Sequence, residues 1–558
     1  MSENVHFSKM PNIAIPRSRL KLEQVVKTTF NFGELVPIDA LPVMPGSDLP
    51  VINVRGVIRM SQPIVPIMDD IEANLYVFYC PTRILFGNYE NWFTTGDTTS
   101  LNGGPVNLNV SAANSKLPNW SICGNGVPVG SIADHFGKPV FTADASKSAY
   151  GIVNVMKEKA YYRIWSDWFI PRQIVSSSPN NSSSATLGTY TINGTTTTVS
   201  PNSSLLPVCK NFDYFTACTL SPLYATGNVM VPLGTSAPII GASSNHSVGS
   251  NGLKFDNGYH SFGSLATDST YKLYVSGSAA SGGSSSVIAT TNMVADLSQA
   301  AGATINQLRE AFAVQKYCER SNYGNRFFEA IQAHFATTSP DARLQRAEYI
   351  GHAKFLINVD QVVSTAGYNV GVSQEVGAPG AISITGFKFN LGSKGFVEPG
   401  YVVILLSTRQ KCHTYSQGVL REDSKLTKFE FYSPEFANLG DQATLNKEIY
   451  LQGGSSDDLT FGYQEHWAEE RYRKARVSGL MNPNVSGGLD YWTMADKYSG
   501  LPNLSASFLF ENRDNIQRCL ATGATGPDFI ADICVDYVED APIPVYSIPG
   551  LIDHFGTH

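Results

Sequence analysis

Runs of alternating apolar and polar residues gather toward the two ends of the chain, with long polar stretches between them. "VINVRGVIRM" (51–60) and "EANLYVFYC" (72–80) are rich in β-branched and aromatic residues and lie between Pro and Gly, which predicts strands. Strand-like runs resume at "KFLINVDQVVS" (354–364), "GYVVILLST" (400–408), "KFEFYSP" (428–434) and "DFIADICVDYV" (528–538). Helical spacing takes over in three places. In "AYYRIWSDWF" (160–169), Tyr161, Trp165 and Trp168 share one helix face. Thr304 and Gln307 form a capping-box pattern ahead of Ile305, Leu308 and Phe312, and "NRFFEAIQAHF" brings Phe327, Ile331 and Phe335 onto one side. No repeat period is visible. Strands at both ends, with helices and long insertions between, do not read as alternating β-α-β. They suit an antiparallel sandwich whose first and last strands are neighbours, and a jelly roll is one such solution.

The middle of the chain has another texture. Across 176–295 only Lys210, Asp213, Lys254, Asp256, Asp268 and Lys272 carry charge, amid "SSSPNNSSSATLG" and "SGSAASGGSSS". Disordered tracts are usually more charged, so "TYTINGTTTTV" and "YKLYVSGS" predict an exposed, loop-rich insertion with short hairpins.

Composition narrows the function classes. The 558 residues are 42% hydrophobic and only 16% charged, enough for a sizeable core and poor in the charge of helix bundles. The net charge of −7 excludes a wholly basic nucleic-acid binder, so any such contact must be a local patch. The N-terminus lacks the continuous apolar core of a signal peptide, and "VVILL" (402–406) is far too short to cross a bilayer. A soluble chain made in the cytoplasm is expected. Eight scattered cysteines without C-x-x-C predict reduced, packed thiols rather than a disulfide framework.

Catalytic signatures are missing: there is no Walker loop, no strand-G-x-G-x-x-G-helix unit, no H-E-x-x-H and no G-x-S-x-G. His334 and His352 are the nearest central histidine pair, and nothing acidic or thiol-bearing completes a metal-ligand set at familiar spacing. "MDD" (68–70) offers two carboxylates, a pairing more often found in a solvated turn. Three charged stretches stand out. In "EHWAEERYRKAR" (465–476) a helix would pair Glu469 with Arg473 and Glu470 with Lys474; a nucleic-acid reading would use Arg471, Arg473, Lys474 and Arg476 with Trp467 and Tyr472 interleaved. The N-terminal segment concentrates Lys9, Arg17, Arg19, Lys21 and Lys27, with Pro11 and Pro16 discouraging helix, and reads as a basic arm. In "TSPDARLQRAEYIG" (338–351) a Ser cap, Pro340 and Asp341 predict a helix start carrying Arg343 and Arg346.

The same stretches, together with "KTTFNFGELVPIDALPVMPGS" (27–47), "RIWSDWF" (163–169), "DYFTACTLSP" (213–222), "LGDQATLNKEIYLQG" (439–453), "FGYQEHWAEERYR" (461–473) and "PVYSIPGLIDHF" (544–555), resemble the major capsid proteins of the Microviridae, in particular the gokushovirus branch. The matches span nearly the whole chain in family order. The resemblance implies a non-enzymatic shell protein: a mainly β, eight-stranded antiparallel jelly roll with large loops and a few helices. About sixty copies would form a T=1 icosahedral shell around circular single-stranded DNA. It also implies a long variable insertion whose copies meet as protrusions at threefold axes and serve host attachment. The parts would then be an N-terminal basic arm (1–26), the first part of the jelly roll (27–175), the insertion (176–300, outermost about 236–295) and the remaining jelly roll with a C-terminal strap (301–558). The partners would be further copies, the genome, other phage structural proteins and a host receptor, in a virion assembled in a bacterial host and without membrane insertion. No cofactor is identifiable, and divalent cations thought to bind some relatives cannot be located. This chain departs from the family in having Ala347 where Pro is usual, "GHA" (351–353) in place of a glycine run, and "RKAR" (473–476) in place of "YKPS". Arg17, Arg19 and Lys21, with Arg471, Arg473, Lys474 and Arg476, are the candidate DNA contacts. Asp341, Arg343 and Arg346 are expected to pin neighbouring loops or subunits through carboxylates and carbonyls, with genome contact as the main other reading and a phosphate site a further one. The competing function is an extracellular glycan-binding or glycan-cleaving β-sandwich such as an adhesin.

Overall fold

A computed structural model describes residues 17–94, 117–222, 305–322, 326–363, 379–523 and 526–544, positions 365 and 377, and short strands between 239 and 295. Eight long strands carry the fold: β1 (Ser18–Phe30), β2 (Glu34–Val43), β3 (Asp48–Met60), β4 (Ile71–Pro81), β5 (Glu348–Ile357), β6 (Ile384–Asn390), β7 (Gly400–Gln410) and β8 (Phe529–Ala541). They form two antiparallel sheets, ordered β1-β8-β3-β6 and β2-β7-β4-β5, each extended by one two-residue strand. First and last strands are neighbours, as expected: β1 and β8 pair from Ser18 opposite Ala541 to Phe30 opposite Phe529. This strand order is that of a jelly roll.

The two sheets read differently because they are covered differently. In the first, apolar residues alternate: Phe529, Ala531, Ile533, Val535 and Tyr537 are buried while their neighbours face outward. In the second, β4 and β7 are buried almost throughout, because helix α1 (Met156–Ile164) packs on the side away from the first sheet. Burial on both faces explains why "VVILL" is a continuous apolar run. α1 runs on into a π-helical turn, Trp165–Phe169, and Tyr161 and Trp165 are fully buried as their spacing predicts.

Register places the connections 30–34, 60–71, 357–384 and 410–529 at one end of the sandwich and 43–48, 81–348 and 390–400 at the other. The first connection needs a glycine. Gly33 has φ +76°, and a Cβ there would lie 2.6 Å from Glu511 Cβ.

The chain divides into two units, Met1–Pro222 with Tyr323–His558, and Leu223–Asn322. The polar tract therefore has two fates. Residues 176–222 belong to the first unit, where Gly188–Ile192 and Thr195–Val199 form a hairpin about Asn193 and Gly194, both at positive φ. Leu187 and Val199 seat it in the main core. The second unit holds three antiparallel strand pairs (Ile239–Gly241 with Met293–Ala295, His246–Gly249 with Gly252–Phe255, Ser264–Thr267 with Leu273–Ser276) and helix α2 (Ile305–Asn322). Thr304, the expected cap, lies outside the described residues. Helix α3 (Phe327–Phe335) follows in the first unit, capped by Glu329 on the Arg326 N–H, with Phe327 and Phe335 exposed.

Four expectations fail locally. "KFEFYSP" is not a strand: Glu430 captures the N–H of Thr427, leaving one 3-10 turn (Lys428–Glu430) with Phe429 exposed. Asp341 starts a turn and no helix, because Gln345 takes the left-handed conformation (φ +55°) and the chain enters β5. The helix in 465–476 shrinks to Ala468–Arg471, after Trp467 at φ +66°. The basic arm is a β-strand from Ser18 onward, and residues 1–16 lie outside the described residues.

Candidate nucleic-acid and subunit interfaces

The turn at 341–347 separates its two arginines. Arg346 folds back: its guanidinium lies 4.3 Å from the Trp168 ring centre and 3.9 Å from that of Phe328, and bonds to Asp341 at 2.6 Å. Charge pairing and stacking on two aromatic faces together hold it in one place. Other anchors join α1 and its π turn to the same loop. Trp168 Nε1 donates to the Ala347 carbonyl, the Ala347 N–H donates to Asp167, and Arg163 and Arg83 reach the Gln345 carbonyl and side chain. Asp341 and Arg346 thus act within the chain. Arg343 is exposed and has no ion-pair partner among the described residues. No anion cradle forms, since the segment is one turn rather than a helix.

Neither expected helical pair forms in 465–476, because its charges are claimed by other segments. Glu469 meets Lys425 at 2.8 Å, Arg471 meets Glu465, and Arg473 meets Glu422 at 3.3 Å. Lys474 turns inward over the rings of Tyr214 and Phe215, 4.2 and 4.3 Å away, with buried Glu448 at 3.9 Å. Burial lowers its pKa to about 8. Glu448 also accepts from Arg421 and Tyr214. Of the four cations, only Arg476 is exposed with no ion-pair partner among the described residues. They make no common basic patch.

At the start of the first sheet, Arg17 pairs with Asp48 at 3.0 Å, and Arg19 forms a two-pronged bond to Asp540 with both contacts at 2.7 Å. That bond raises the Arg19 pKa and lowers that of Asp540. Lys21, two residues on, has no ion-pair partner among the described residues.

The remaining candidates are structural. Asp70 pairs with Lys411 at 2.8 Å, and Asp69 accepts from the Met494 N–H, so "MDD" ties two connections together. All eight cysteines are unpaired. Glu23, Cys534 and Asp536 come close enough to suggest a cation site, but Arg55 already bridges Glu23 and Asp536 at 2.9 and 3.0 Å.

Sequence reasoning missed one cluster altogether. His413 is buried with Nδ1 3.3 Å from Asp496 and Nε2 3.3 Å from Glu511, while Lys210 lies 3.2 Å from Asp496 and Asn515 donates to it at 2.7 Å. Burial alone would lower the His413 pKa. The Glu511 charge and the hydrogen bonds to Asp496 and Glu511 outweigh it and raise the value to about 9. The five residues come from three separate stretches, around 210, 413 and 496–515, and no local spacing could have announced them.

Comparison with known proteins adds the last observations. A model of the phage F-protein family, described as "Capsid protein (F protein)", matches residues 8–551. The chain is 30% identical over 556 residues to capsid protein VP1 of Bdellovibrio phage phiMH2K, covering 98% of both chains. It is 31% identical over 603 residues to VP1 of Chlamydia phage 1, covering 98% of this chain and 97% of that one. It is also 31% identical over 570 residues to VP1 of Spiroplasma virus 4, covering 99% and 98%.

Proposed function

This chain belongs to the F-protein family of phage capsid proteins, and we propose that its copies close into a T=1 icosahedral shell around a circular single-stranded DNA genome. It is a structural protein of single-stranded DNA phages and not an enzyme. The observation that carries the closed-shell reading is how much large apolar surface the lone chain leaves in water. Leu426, Phe429, Phe327 and Phe335 are 88, 65, 74 and 76% exposed. Such residues on a single subunit mark contact surfaces, and symmetric assembly would cover them. The exposed Arg343 would lie at such a contact. The Leu223–Asn322 unit, low in charge and rich in Ser and Gly, supports a surface protrusion, outermost over about 236–295, that meets its copies at threefold axes and contacts a host receptor. Assembly with other phage structural proteins would take place in the bacterial cytoplasm. Among the described residues no helix is long and apolar enough to cross a membrane. Against the adhesin alternative stands the family, whose members named above are capsid proteins.

Electron microscopy of the purified full-length protein tests the reading. Uniform closed particles are expected. Monomers or small open oligomers at all protein and salt concentrations would refute it.

A further inference from the structure

The outward face of the first sheet is rich in charge, and register fixes its pattern. Facing out are Arg19, Lys21, Glu23 and Lys27 on β1, the alternate residues of β8, Arg55 and Arg59 on β3, and Lys388 on β6. Three of its acids are already paired with two arginines, Asp540 with Arg19, and Glu23 and Asp536 with Arg55, which leaves one negative charge over. Four exposed cations are left over, Lys21, Lys27, Arg59 and Lys388, with no ion-pair partner among the described residues. Against these four stand Asp532 and the one negative charge left by the Glu23–Arg55–Asp536 group. A chain with net charge −7 thus presents a locally positive sheet face.

The cations are spread along the face. Lys27 lies opposite Asp532, which lies opposite Val57, and Arg59 is two residues further along β3. At ordinary strand spacing Lys27 and Arg59 are about 12 Å apart, and Lys21 is about 20 Å from Lys27 along β1. Spread charges of one sign suit an extended polyanion better than a single small anion. A cleft of about 910 Å³ opens at the same place, between the sheet and the turn at 129–137; Lys27, Arg59 and Lys157 line it and Asp39, Asp134 and Asp532 balance them there, so the excess positive charge lies on the open sheet face rather than in the cleft.

We infer that this sheet face is a sequence-independent contact surface for single-stranded DNA, with Lys21, Lys27, Arg59 and Lys388 meeting backbone phosphates. The inference rests on the shell reading and deepens it. It moves the genome contact away from Arg17 and Arg19, which are already paired, and onto Lys27 together with Arg59 and Lys388, two residues that the sequence did not single out. Cations without a protein counter-charge can release their own counterions to phosphate without first breaking an ion pair, and no base edge need be read.

The test is a Lys21→Gln/Lys27→Gln/Arg59→Gln/Lys388→Gln variant of the full chain, beside a Lys428→Gln/Lys497→Gln control whose exposed cations lie on the 410–529 connection. Binding of a fluorescent oligothymidylate is followed by anisotropy across a salt series. The quadruple variant should lose at least tenfold in affinity at low salt, and its log-salt slope should fall by up to about 2.8, at about 0.7 per phosphate contact. The control should keep the wild-type slope. An unchanged slope in the quadruple variant, or an equal loss in the control, overturns the inference. So does a quadruple variant that binds oligonucleotide normally but no longer closes particles, since the face would then be a subunit contact. Particle closure by wild-type protein is scored separately, so failure of the shell reading stays distinct from failure of the DNA face.

Discussion

Arg343 and Arg346 sit three residues apart in one polar stretch, yet only one is held by its own chain. Arg346 lies between two aromatic rings and bonds Asp341, so Arg346→Ala should lower the stability of the isolated subunit by about 2 kcal/mol, visible as a lower Tm before any assembly. Arg343→Ala should leave that Tm unchanged and reduce particle yield; a matching Tm loss in both variants would contradict the separation. His413 gives a pH dependence with a defined sign. Its folded pKa of about 9 stands above the ordinary 6.5, so its contribution is fully present below pH 6.5 and is lost as pH rises through about 9. The shift corresponds to about 3 kcal/mol. Lys474 and Lys159, both lowered to about 8 by burial, act in the opposite direction between about pH 8 and 10.5. The informative quantity is therefore the Tm gap between wild type and His413→Gln. That gap should be widest near pH 6 and should narrow by pH 9 to 10. A gap independent of pH would mean that His413 carries no proton in the fold.

Among the elements, β1 changed most between sequence and structure. A segment with prolines and cations near the N-terminus resembles a free arm, but β1 forms thirteen register pairs with β8 and supplies an edge of the first sheet. Nothing within residues 18–30 reveals this, because the partner strand lies more than 500 residues away, as in Arg19 with Asp540. Deleting residues 1–30 should uncover the β8 edge and yield aggregated protein without a cooperative thermal transition, whereas deleting 1–16 should leave the subunit soluble. Equal solubility of the two truncations would deny β1 its place in the sheet. The 465–476 segment teaches the same lesson. Its charges satisfy the four-residue spacing of a helix, but partners in other connections bind them and Lys474 gains two aromatic neighbours.

For the whole molecule, the proposed function divides the labour between the two units: a sandwich that would build the shell and a low-charge unit that would tolerate change. Replacing "SGSAASGGSSS" (276–286) with a short Gly/Ser linker should leave particle yield and Tm intact and alter adsorption to host cells, measured on assembled phage. Loss of folding would assign the segment to the core. The sequence alone determined the presence and type of most long elements, because period-two and helical spacing are written in neighbouring residues. "VINVRGVIRM", "DFIADICVDYV" and "NRFFEAIQAHF" became β3, β8 and α3 with little change. Their long, ordered likeness to one capsid family carried the function as well. Only the tertiary structure decided which charges remain free. Whether an arginine meets a carboxylate depends on strand register and loop packing across hundreds of residues. Arg19 and Lys21 look alike in the chain, yet one is neutralised by Asp540 while the other faces water on the same sheet face as Lys27 and Arg59.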